Sequence, residues 1–441
     1  MPELQHNDGL RAPKGTVPYG YLRHIYRYGC RLLVEYGCLI EPFEKAGEER
    51  KEGKMLHRLL KDISVSILGF GAMRLPLVGG TEKPTDSFDP ERTIDEEEAA
   101  RMFEYAIAHG VNYFDTAYNY HGGKSEVVLG KTLKPHRDRV TIATKLPVFL
   151  AKEAGDFDRF LDEQLERLQT PYLDVYLLHG LNAQTWENAK KMGVLAFLSR
   201  AVSDGRVRHP GFSFHDTLAV FRGIVDAYEW AVCLIQYNYL DEQYQAGTEG
   251  LRYAHSRGLG VAVMEPLRGG KLGKVPTDVM RIFDSAPQKR PPASWALQWV
   301  WNHPEVSVVL SGMSTLDQVR ANIAFAEEGT AGAFAPSDLA LIDAARKAYR
   351  ALLDIDCTGC AYCTPCPTGV NIPMNFTLYN DAVTFKDPTG VMVYNAFMPP
   401  EQRASACADC GECEEKCPQH IPIREELKKV HTTLYREGAG G

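Results

Sequence analysis

Short apolar runs rich in β-branched residues alternate with amphipathic segments between residues 61 and 345. Eight of these runs have the length of a buried strand, and they lie at 65–71, 111–117, 140–146, 174–180, 209–214, 233–238, 261–266 and 306–312. Helical periodicity separates them, most clearly at 96–109, 157–168, 218–227 and 292–301. Eight strands that each precede a helical segment predict an α/β fold, a closed (β/α)8 TIM barrel.

An open, doubly wound sheet also alternates strands with helices. A dinucleotide-binding sheet of that kind carries a G-x-G-x-x-G turn after its first strand. The run at 65–71 is followed by AMRLPL instead. The pattern therefore favours the barrel.

Polar side chains close six of the eight predicted strands: Asp115, Lys145, His179, Ser213, Gln236 and Glu265. Any one of them alone is more simply explained as a buried polar group with a hydrogen-bond partner. Six in the same register are different, because the carboxyl ends of barrel strands meet at one face, where barrel enzymes carry out their chemistry. The sequence therefore predicts a site at that face. Trp295, Trp299 and Trp301 belong to a helical segment and are interpreted as packing residues.

Composition narrows the class of protein. Of the 441 residues, 44% are hydrophobic and 24% are charged, as in ordinary globular proteins. The net charge of −8 argues against nucleic acid as a partner and would suit a basic protein, although an acidic surface usually serves solubility alone. The N-terminus lacks the apolar region of a secretory signal, and no window is apolar enough for a membrane span, so we expect a cytoplasmic protein.

The chain divides by composition into three segments. Residues 1–60 form an N-terminal extension, in which a Tyr- and Arg-rich stretch before a charge run at 44–54 predicts a helix packed on the main domain. Met55 stands just before the barrel pattern and is a candidate alternative start. Residues 61–345 form the predicted barrel, and residues 346–441 form a cysteine-rich domain.

Eight of the eleven cysteines lie between Cys357 and Cys417, which in a long chain points to metal rather than to disulfides. The second motif, CADCGECEEKCP at 407–418, has the spacing of a bacterial ferredoxin. The first, CTGCAYCTPCP at 357–367, is one residue shorter, and the similar phrases GVNIP and HIPI after the two motifs indicate an internal duplication. We predict a mainly helical, ferredoxin-like domain with two [4Fe–4S] clusters, a single cluster being the alternative.

In two-cluster ferredoxins the fourth cysteine of each run binds the other cluster. That crossing predicts two ligand sets, which are Cys357, Cys360, Cys363 and Cys417 for one cluster and Cys407, Cys410, Cys413 and Cys366 for the other. Two structural zinc sites are the alternative, because paired cysteines also serve zinc. The triple C-x-x-C-x-x-C run followed by Cys-Pro favours iron and sulfur.

The segment FDTAYNYHGGKSE at 114–126, with TKL supplying Lys145 and LLHGL supplying His179, resembles the aldo-keto reductase family over about residues 63–330. The cysteine motifs resemble those of a subgroup with a C-terminal ferredoxin-like domain. The resemblance implies an NAD(P)H-dependent oxidoreductase that interconverts a carbonyl and an alcohol. It further implies that Tyr120 donates the proton, that Asp115 orients Lys145, and that His179 binds the substrate oxygen.

The chemistry agrees with these roles. A carbonyl that receives a hydride becomes an alkoxide, which needs a proton. The pKa of free tyrosine is near ~10, so tyrosine is a reluctant donor at neutral pH, and a nearby ammonium lowers that pKa. We therefore expect Lys145 to lower the pKa of Tyr120. The alternatives are a plain buried ion pair for Asp115 and Lys145 and a core histidine for His179.

The resemblance also implies residues for the nicotinamide carboxamide. GFSFH at 211–215 supplies Ser213, and QYN at 236–238 supplies Gln236. The chain departs from the family at two places. Phe214 follows the serine where the family often has Asn, and Met264 stands where a stacking aromatic is common.

The segment SGMSTLDQVRANI at 311–323 resembles the family's adenosine-binding segment and carries Ser314, Gln318 and Asn322 on one helical face. Ser314 is the predicted N-cap, in a capping box with Asp317, so that the helix start faces a phosphate. Residues 311–319 contain no Lys or Arg, where many relatives have one, which favours NADH over NADPH. A charge for a second phosphate could instead come from Arg268, Lys271 or Arg320.

Two roles remain open for the clusters. A hydride carries two electrons and a cluster carries one, and the sequence has no flavin motif to connect them. The clusters either exchange electrons with a ferredoxin or another redox protein, or they stabilise the C-terminal domain. The alternative function is a non-catalytic nicotinamide-binding sensor or a subunit of an electron-transfer complex, which the altered cofactor pocket would suit.

Overall fold

The computed structural model describes residues 54–80, 86, 89, 92–359 and 362–436, all within one compact unit, Gly53–Gly441. The helix predicted in the N-terminal extension lies outside the described residues, as does Cys360. In the described part of the chain, no helix is both long enough and apolar enough to cross a membrane.

The strands of the described part occur close to the predicted runs. They are β1 (His57–Leu60), β2 (Ile63–Ser66), β3 (Leu68–Gly71), β4 (Tyr113–Asp115), β5 (Thr141–Leu146), β6 (Leu173–Leu181), β7 (Val207–Phe214), β8 (Val232–Gln236), β9 (Gly260–Met264) and β10 (Val308–Ser311). Strands β3 to β10 are parallel and close into a barrel in the order β10-β3-β4-β5-β6-β7-β8-β9. The predicted TIM barrel is confirmed.

The run predicted at 65–71 divides in two. Strand β2 pairs antiparallel with β1, while β3 enters the barrel. Leu60 and Val65 of this hairpin pack with the barrel-interior side chains Tyr113 and Val175, and Leu60 lies against Gly260 at the start of β9. The hairpin therefore closes the amino-terminal end of the barrel. The opposite end, where β3 to β10 finish, is called the mouth below.

Helices cover the outside of the barrel. They are α1 (Glu96–Ala108), α2 (Lys124–Leu133), α3 (Gly155–Arg167), α4 (Ala183–Lys191), α5 (Val194–Ser203), α6 (Leu218–Val225), α7 (Gly247–Ser256), α8 (Thr277–Asp284), α9 (Pro292–Trp301), α10 (Leu316–Ala326) and α11 (Pro336–Arg350). Their apolar faces join the outer faces of the strands in one core. Trp295, Trp299 and Trp301 of α9 are buried in it, which confirms their packing role.

Residues 352–436, called the cluster module below, form a second core. The helices of this part are α12 (Ile372–Thr384), α13 (Thr389–Met392), α14 (Glu412–Glu415) and α15 (Ile423–Leu434). Phe376, Tyr394 and Val430 are fully buried between them, and several cysteines pack against the same core. The mainly helical cysteine-rich domain is therefore confirmed.

The cluster module lies against the mouth of the barrel. Tyr244, in the segment after β8, directs its hydroxyl at the sulfur of Met374 on α12, at 3.7 Å. Helix α11 leads into the module and is held to the same segment, because Arg346 donates to the main-chain oxygen of Tyr239 at 2.7 Å and pairs with Glu242 at 2.7 Å. The module thus meets the face of the barrel at which the sequence predicts a site.

Candidate active site

The side chains of Asp115, Lys145 and Tyr120 meet at the mouth. Asp115 ends β4 opposite Ala143 of β5, and Lys145 lies two residues further along β5, on the same face of the strand. The ammonium nitrogen of Lys145 lies 2.6 Å from a carboxylate oxygen of Asp115, 2.7 Å from the main-chain oxygen of Thr116 and 3.4 Å from the hydroxyl of Tyr120. Asp115 and Lys145 are almost fully buried, whereas Tyr120 is partly open to the mouth.

A strained turn presents Tyr120. The turn Tyr120–Gly123 follows β4, and His121 within it adopts a left-handed backbone with φ of 51°. Such a conformation is uncommon outside glycine and is held only by its surroundings. The buried ring of His121 accepts a hydrogen bond from the main-chain N–H of Leu75 at 3.3 Å. This bond fixes the turn, and with it the position of Tyr120.

His179 lies beside Tyr120, near the end of β6. The ring centroids of Tyr120 and His179 are 6.0 Å apart, and Phe149 packs on the other side of the imidazole at 5.6 Å. Burial, together with the charges of Lys145 and His215, holds the pKa of His179 well below its usual range. The imidazole is therefore neutral at pH 7. Its Nδ1 is buried without a hydrogen-bond partner in the described part of the chain.

The pKa of Tyr120 differs from the expectation. Burial raises the pKa of Tyr120, and the positive charge of Lys145 offsets only part of that increase. Burial also raises the pKa of Asp115, again with Lys145 opposing. For Lys145, burial acts to lower the pKa, but the charges of Asp115 and Tyr120 outweigh it and raise the pKa. At neutral pH the site thus holds a protonated phenol beside an ammonium.

Ser213 and Gln236, the two residues expected at the nicotinamide, lie at the mouth, and their polar groups already form hydrogen bonds within the protein. The hydroxyl of Ser213 on β7 accepts from the N–H of Gly180 at 2.7 Å. The carboxamide of Gln236, at the end of β8, donates to Asp241 at 3.3 Å and accepts from Gln245 at 3.2 Å. A carboxamide of a ligand would have to exchange with these bonds or use the remaining lone pairs.

The helix start expected at Ser314 is displaced by one residue. Thr315 is the N-cap of α10, and its side chain accepts from the N–H of Gln318, so the predicted cap at Ser314 is wrong. Ser314 instead donates to the main-chain oxygen of Arg74 at 2.7 Å, while its own N–H donates to Gln318 at 2.8 Å. Asn322 is buried and donates to Ser311 at 2.8 Å, which fixes the end of β10.

Four basic residues lie near the two loops after β9 and β10. Arg268 and Lys271, both named from the sequence, follow β9 and pair with carboxylates of neighbouring segments. Arg320 pairs with Asp317 on the exposed side of α10 at 3.3 Å. Arg74 was missed by sequence reasoning, because it follows β3 and no local pattern links it to loops more than 190 residues further along the chain.

Sequence reasoning also missed three residues near Gln236. Gln245, with φ of 57°, donates a hydrogen bond to Gln236 at 3.2 Å, and His215 and Tyr244 lie beside it. These residues lie in loops, where no strand register marks them. Glu265 was noted only as a strand-closing residue. Its side chain is exposed at the mouth, yet desolvation by the surrounding protein raises the pKa of its carboxyl.

The cysteines line two adjoining hollows of the cluster module. One hollow is lined by Cys366, Cys407, Cys410 and Cys413, and the other by Cys357 and Cys417, while Cys363 reaches both. Ile372 and Leu427 contribute apolar wall to the first hollow, and Phe376 and Ile421 to the second. Among the described residues, no three potential ligands converge on a single-ion site. Thiolates around hollows with apolar walls are the donors that iron–sulfur clusters use.

Backbone groups also point at these sulfurs. The N–H of Gly359 donates to the sulfur of Cys357, and the N–H of Asp409 donates to the sulfur of Cys407, both at 3.4 Å. Hydrogen bonds of this kind stabilise the negative charge of a cluster and tune its potential. Cys233, by contrast, is buried in β8, away from both hollows.

Comparison with known proteins agrees with this geometry. The aldo/keto reductase family matches residues 68–346, and a 4Fe-4S dicluster domain matches residues 356–421. An L-galactose dehydrogenase of Arabidopsis thaliana is 28% identical over 300 residues, which cover 60% of this chain and 86% of that protein. An NADH-specific methylglyoxal reductase of Escherichia coli is 25% identical over 312 residues, covering 60% of this chain and 90% of that protein.

Solved structures agree as well. An aldo-keto reductase from Bacillus halodurans, in its holo form, superimposes with a TM-score of 0.55 at 26% identity, covering 66% of this chain and 96% of that one. These relatives correspond in extent to the barrel. The protein belongs to the aldo/keto reductase family and joins an oxidoreductase barrel of that family to a C-terminal 4Fe-4S dicluster domain.

Proposed function

We propose that the protein is an NAD(P)H-dependent oxidoreductase that interconverts a small carbonyl compound and its alcohol. One observation carries the proposal: the ammonium of Lys145 lies between the carboxylate of Asp115 and the hydroxyl of Tyr120, at 2.6 and 3.4 Å. Membership of the family implies a nicotinamide cofactor. An ordinary buried ion pair would not need a phenol that is open to the mouth.

The residues have distinct tasks in this mechanism. When bound, the nicotinamide supplies or accepts the hydride. Tyr120 gives its hydroxyl proton to the oxygen of the substrate as negative charge develops there. Lys145 stabilises the phenolate that remains, and Asp115 holds the ammonium in place. Neutral His179 donates a hydrogen bond that fixes the substrate oxygen near Tyr120.

The relatives support the substrate class. Their names specify a reductase of methylglyoxal and a dehydrogenase of L-galactose, each a small carbonyl or alcohol compound. The E. coli relative is NADH-specific. The absence of basic residues at 311–319 and the pairing of Arg320 with Asp317 favour NADH for this chain too.

We assign one [4Fe–4S] cluster to Cys357, Cys360, Cys363 and Cys417, and another to Cys366, Cys407, Cys410 and Cys413. The described cysteines other than Cys363, which reaches both hollows, divide between the two hollows as the crossed sets require, and this supports the assignment. The clusters supply one-electron chemistry when bound. Cys410 is exposed, so the second cluster would lie near the surface, within reach of a ferredoxin or another redox protein. Stabilisation of the cluster module is the alternative role.

The test replaces Tyr120 by Phe in the anaerobically purified holoprotein. Oxidation of NADH with methylglyoxal and related aldehydes should fall by at least about 100-fold, because the proton donor is lost. The Kd for NADH should stay nearly unchanged. Tyr118→Phe is the matched control, since the Tyr118 hydroxyl donates to Glu163 outside the site at 2.6 Å. Retained turnover in Tyr120→Phe would exclude the proposed role.

A second candidate is a nicotinamide-binding sensor or a subunit of an electron-transfer complex without carbonyl turnover. This candidate is favoured because the polar groups of Ser213 and Gln236 already form hydrogen bonds within the protein. The two functions differ in steady-state kinetics. Binding of NADH without turnover of any aldehyde in a broad panel would support the sensor.

A further inference from the structure

The turn after β9 is built like an anion-binding loop. Loops after the seventh and eighth strands of TIM barrels often bind phosphate, and β9 and β10 are the seventh and eighth strands of this barrel. In the turn Arg268–Gly273, the first three residues have left-handed φ values of 47°, 66° and 99°. Two of these are glycines, which adopt that backbone without strain. Arg268 and Lys271 make the turn basic.

Arg74 joins the two loops. Its side-chain carbons lie 3.4 to 3.6 Å from the position that a Cβ of Gly312 would occupy, after β10. Its guanidinium reaches to 3.6 Å from the corresponding position of Gly269, in the turn after β9. Three basic side chains therefore lie at one part of the mouth, Arg74 from the segment after β3 and Arg268 and Lys271 from the turn after β9.

This basic loop is already paired with carboxylates of the cluster module. Lys271 lies 2.9 Å from Asp381 on α12 and 2.7 Å from Asp387. Arg268 lies 3.4 Å from Asp381 and 3.5 Å from Asp241. All of these side chains are largely buried, with 10 to 14% of their area exposed. Because water screens such pairs poorly, each carboxylate strongly affects any other anion that approaches the loop.

We propose that Asp381 and Asp387 compete with the phosphates of the nucleotide for Arg268 and Lys271, and so set the nucleotide affinity of the barrel. The inference rests on the proposed function, because it assumes a dinucleotide at the mouth. The barrel residues Arg74, Arg268, Lys271, Asp241 and Glu265 carry a formal charge of +1 between them, and the two module carboxylates change it to −1. The cluster module thus contributes two affinity-determining residues to the nucleotide site of the barrel.

A coupling between the two parts follows. If a bound nucleotide weakens the ion pairs of Asp381 and Asp387 with the loop by some factor, then those ion pairs weaken the affinity for the nucleotide by the same factor. The docking of the cluster module on the barrel and the binding of a nucleotide are thereby linked through Arg268 and Lys271. No contact between the nucleotide and a cluster is needed for this link.

The test uses the double variant Asp381→Asn, Asp387→Asn in the anaerobically purified holoprotein. Asparagine keeps the side-chain shape and can still accept the bond from the N–H of Thr389 that Asp387 now receives. Calorimetry measures the Kd for NADH and for ADP-ribose, which carries the two phosphates without nicotinamide. We expect both Kd values to fall by about 10-fold.

Asp354→Asn is the control. Asp354 pairs with Lys429 and Tyr379 inside the cluster module, so this variant removes a module charge without touching the loop. Its Kd values should equal those of the wild type. Lys271→Gln should weaken ADP-ribose binding, and an unchanged absorption near ~400 nm would show that the variants keep their clusters.

The outcomes separate this inference from the proposed function. If the Kd values for NADH and ADP-ribose of the double variant lie within about twofold of those of Asp354→Asn, the competition is excluded. The proposed function still stands in that case if the protein binds and oxidises NADH. If ADP-ribose binds more tightly to the double variant while no aldehyde is turned over, the competition stands and the enzyme proposal falls. If neither ligand binds either protein, both are overturned.

Discussion

Gln164 of α3 donates from its amide nitrogen to the main-chain oxygen of Lys145, at 3.1 Å. The same amide lies 2.6 Å from the buried carboxylate of Glu126 and 3.0 Å from the hydroxyl of Thr144, and its oxygen accepts from Tyr176 at 2.8 Å. A polar network on the outer side of β5 therefore holds the strand segment that directs the ammonium of Lys145 to the mouth.

Replacement of Gln164 by Leu should destabilise the barrel. The apolar side chain leaves the buried hydroxyl of Tyr176 without its acceptor and removes one of the donors to the buried carboxylate of Glu126. We expect the free energy of unfolding to fall by about 2–4 kcal/mol. Urea denaturation followed by tryptophan fluorescence measures the change. Gln184→Leu, at an exposed position on α4, should stay within about 0.5 kcal/mol of the wild type.

The stability of the turn around Tyr120 should depend on pH. Burial lowers the pKa of His121 from 6.5 to about 4. An unfolded chain takes up a proton on this ring as the pH falls through about 6.5, whereas the folded chain does so only near pH 4. The stability that the neutral His121 ring gives to the folded state is therefore fully present above pH 6.5. It is lost as the pH falls from about 6.5 to about 4, and the loss reaches about 3 kcal/mol.

His121→Asn isolates this effect. Asparagine tolerates the left-handed backbone and can accept the bond from the N–H of Leu75, but it does not titrate. Denaturation midpoints measured from pH 7 to pH 4.5 should fall less steeply for the variant than for the wild type. An exposed control, His255→Asn, should keep the wild-type slope. Identical slopes for all three proteins would contradict the account.

Removal of Cys366 should abolish one cluster and leave the other. In the crossed arrangement Cys366 completes the set of Cys407, Cys410 and Cys413, and it lines their hollow. Iron in anaerobically purified Cys366→Ala should fall from about eight to about four atoms per chain. Cys233→Ala, in the barrel, should keep the full content. Unchanged iron in Cys366→Ala would show that its sulfur is not a ligand.

The sequence by itself determined the barrel and the cysteine domain, because both depend on local patterns. Apolar runs of strand length mark all eight barrel strands, and the register of those strands brings Asp115 and Lys145 to one face. The spacing of the cysteines likewise limits which of them can surround one cluster. Where the strands end, the sequence also marks His179, Ser213 and Gln236.

Only the tertiary structure decided the rest, because it depends on residues that are distant in the chain. The pKa of Tyr120 follows burial by several segments, which outweighs the charge of Lys145 that the sequence made visible. The choice of Thr315 over Ser314 as N-cap depends on the backbone angles of one turn. The pairing of Lys271 with Asp381 joins positions 110 residues apart, and no periodicity connects them. The protonation states and the solvent access of side chains depend on the packing of the whole fold. The positions of the strands and the spacing of the cysteine ligands depend only on residues that are close in sequence.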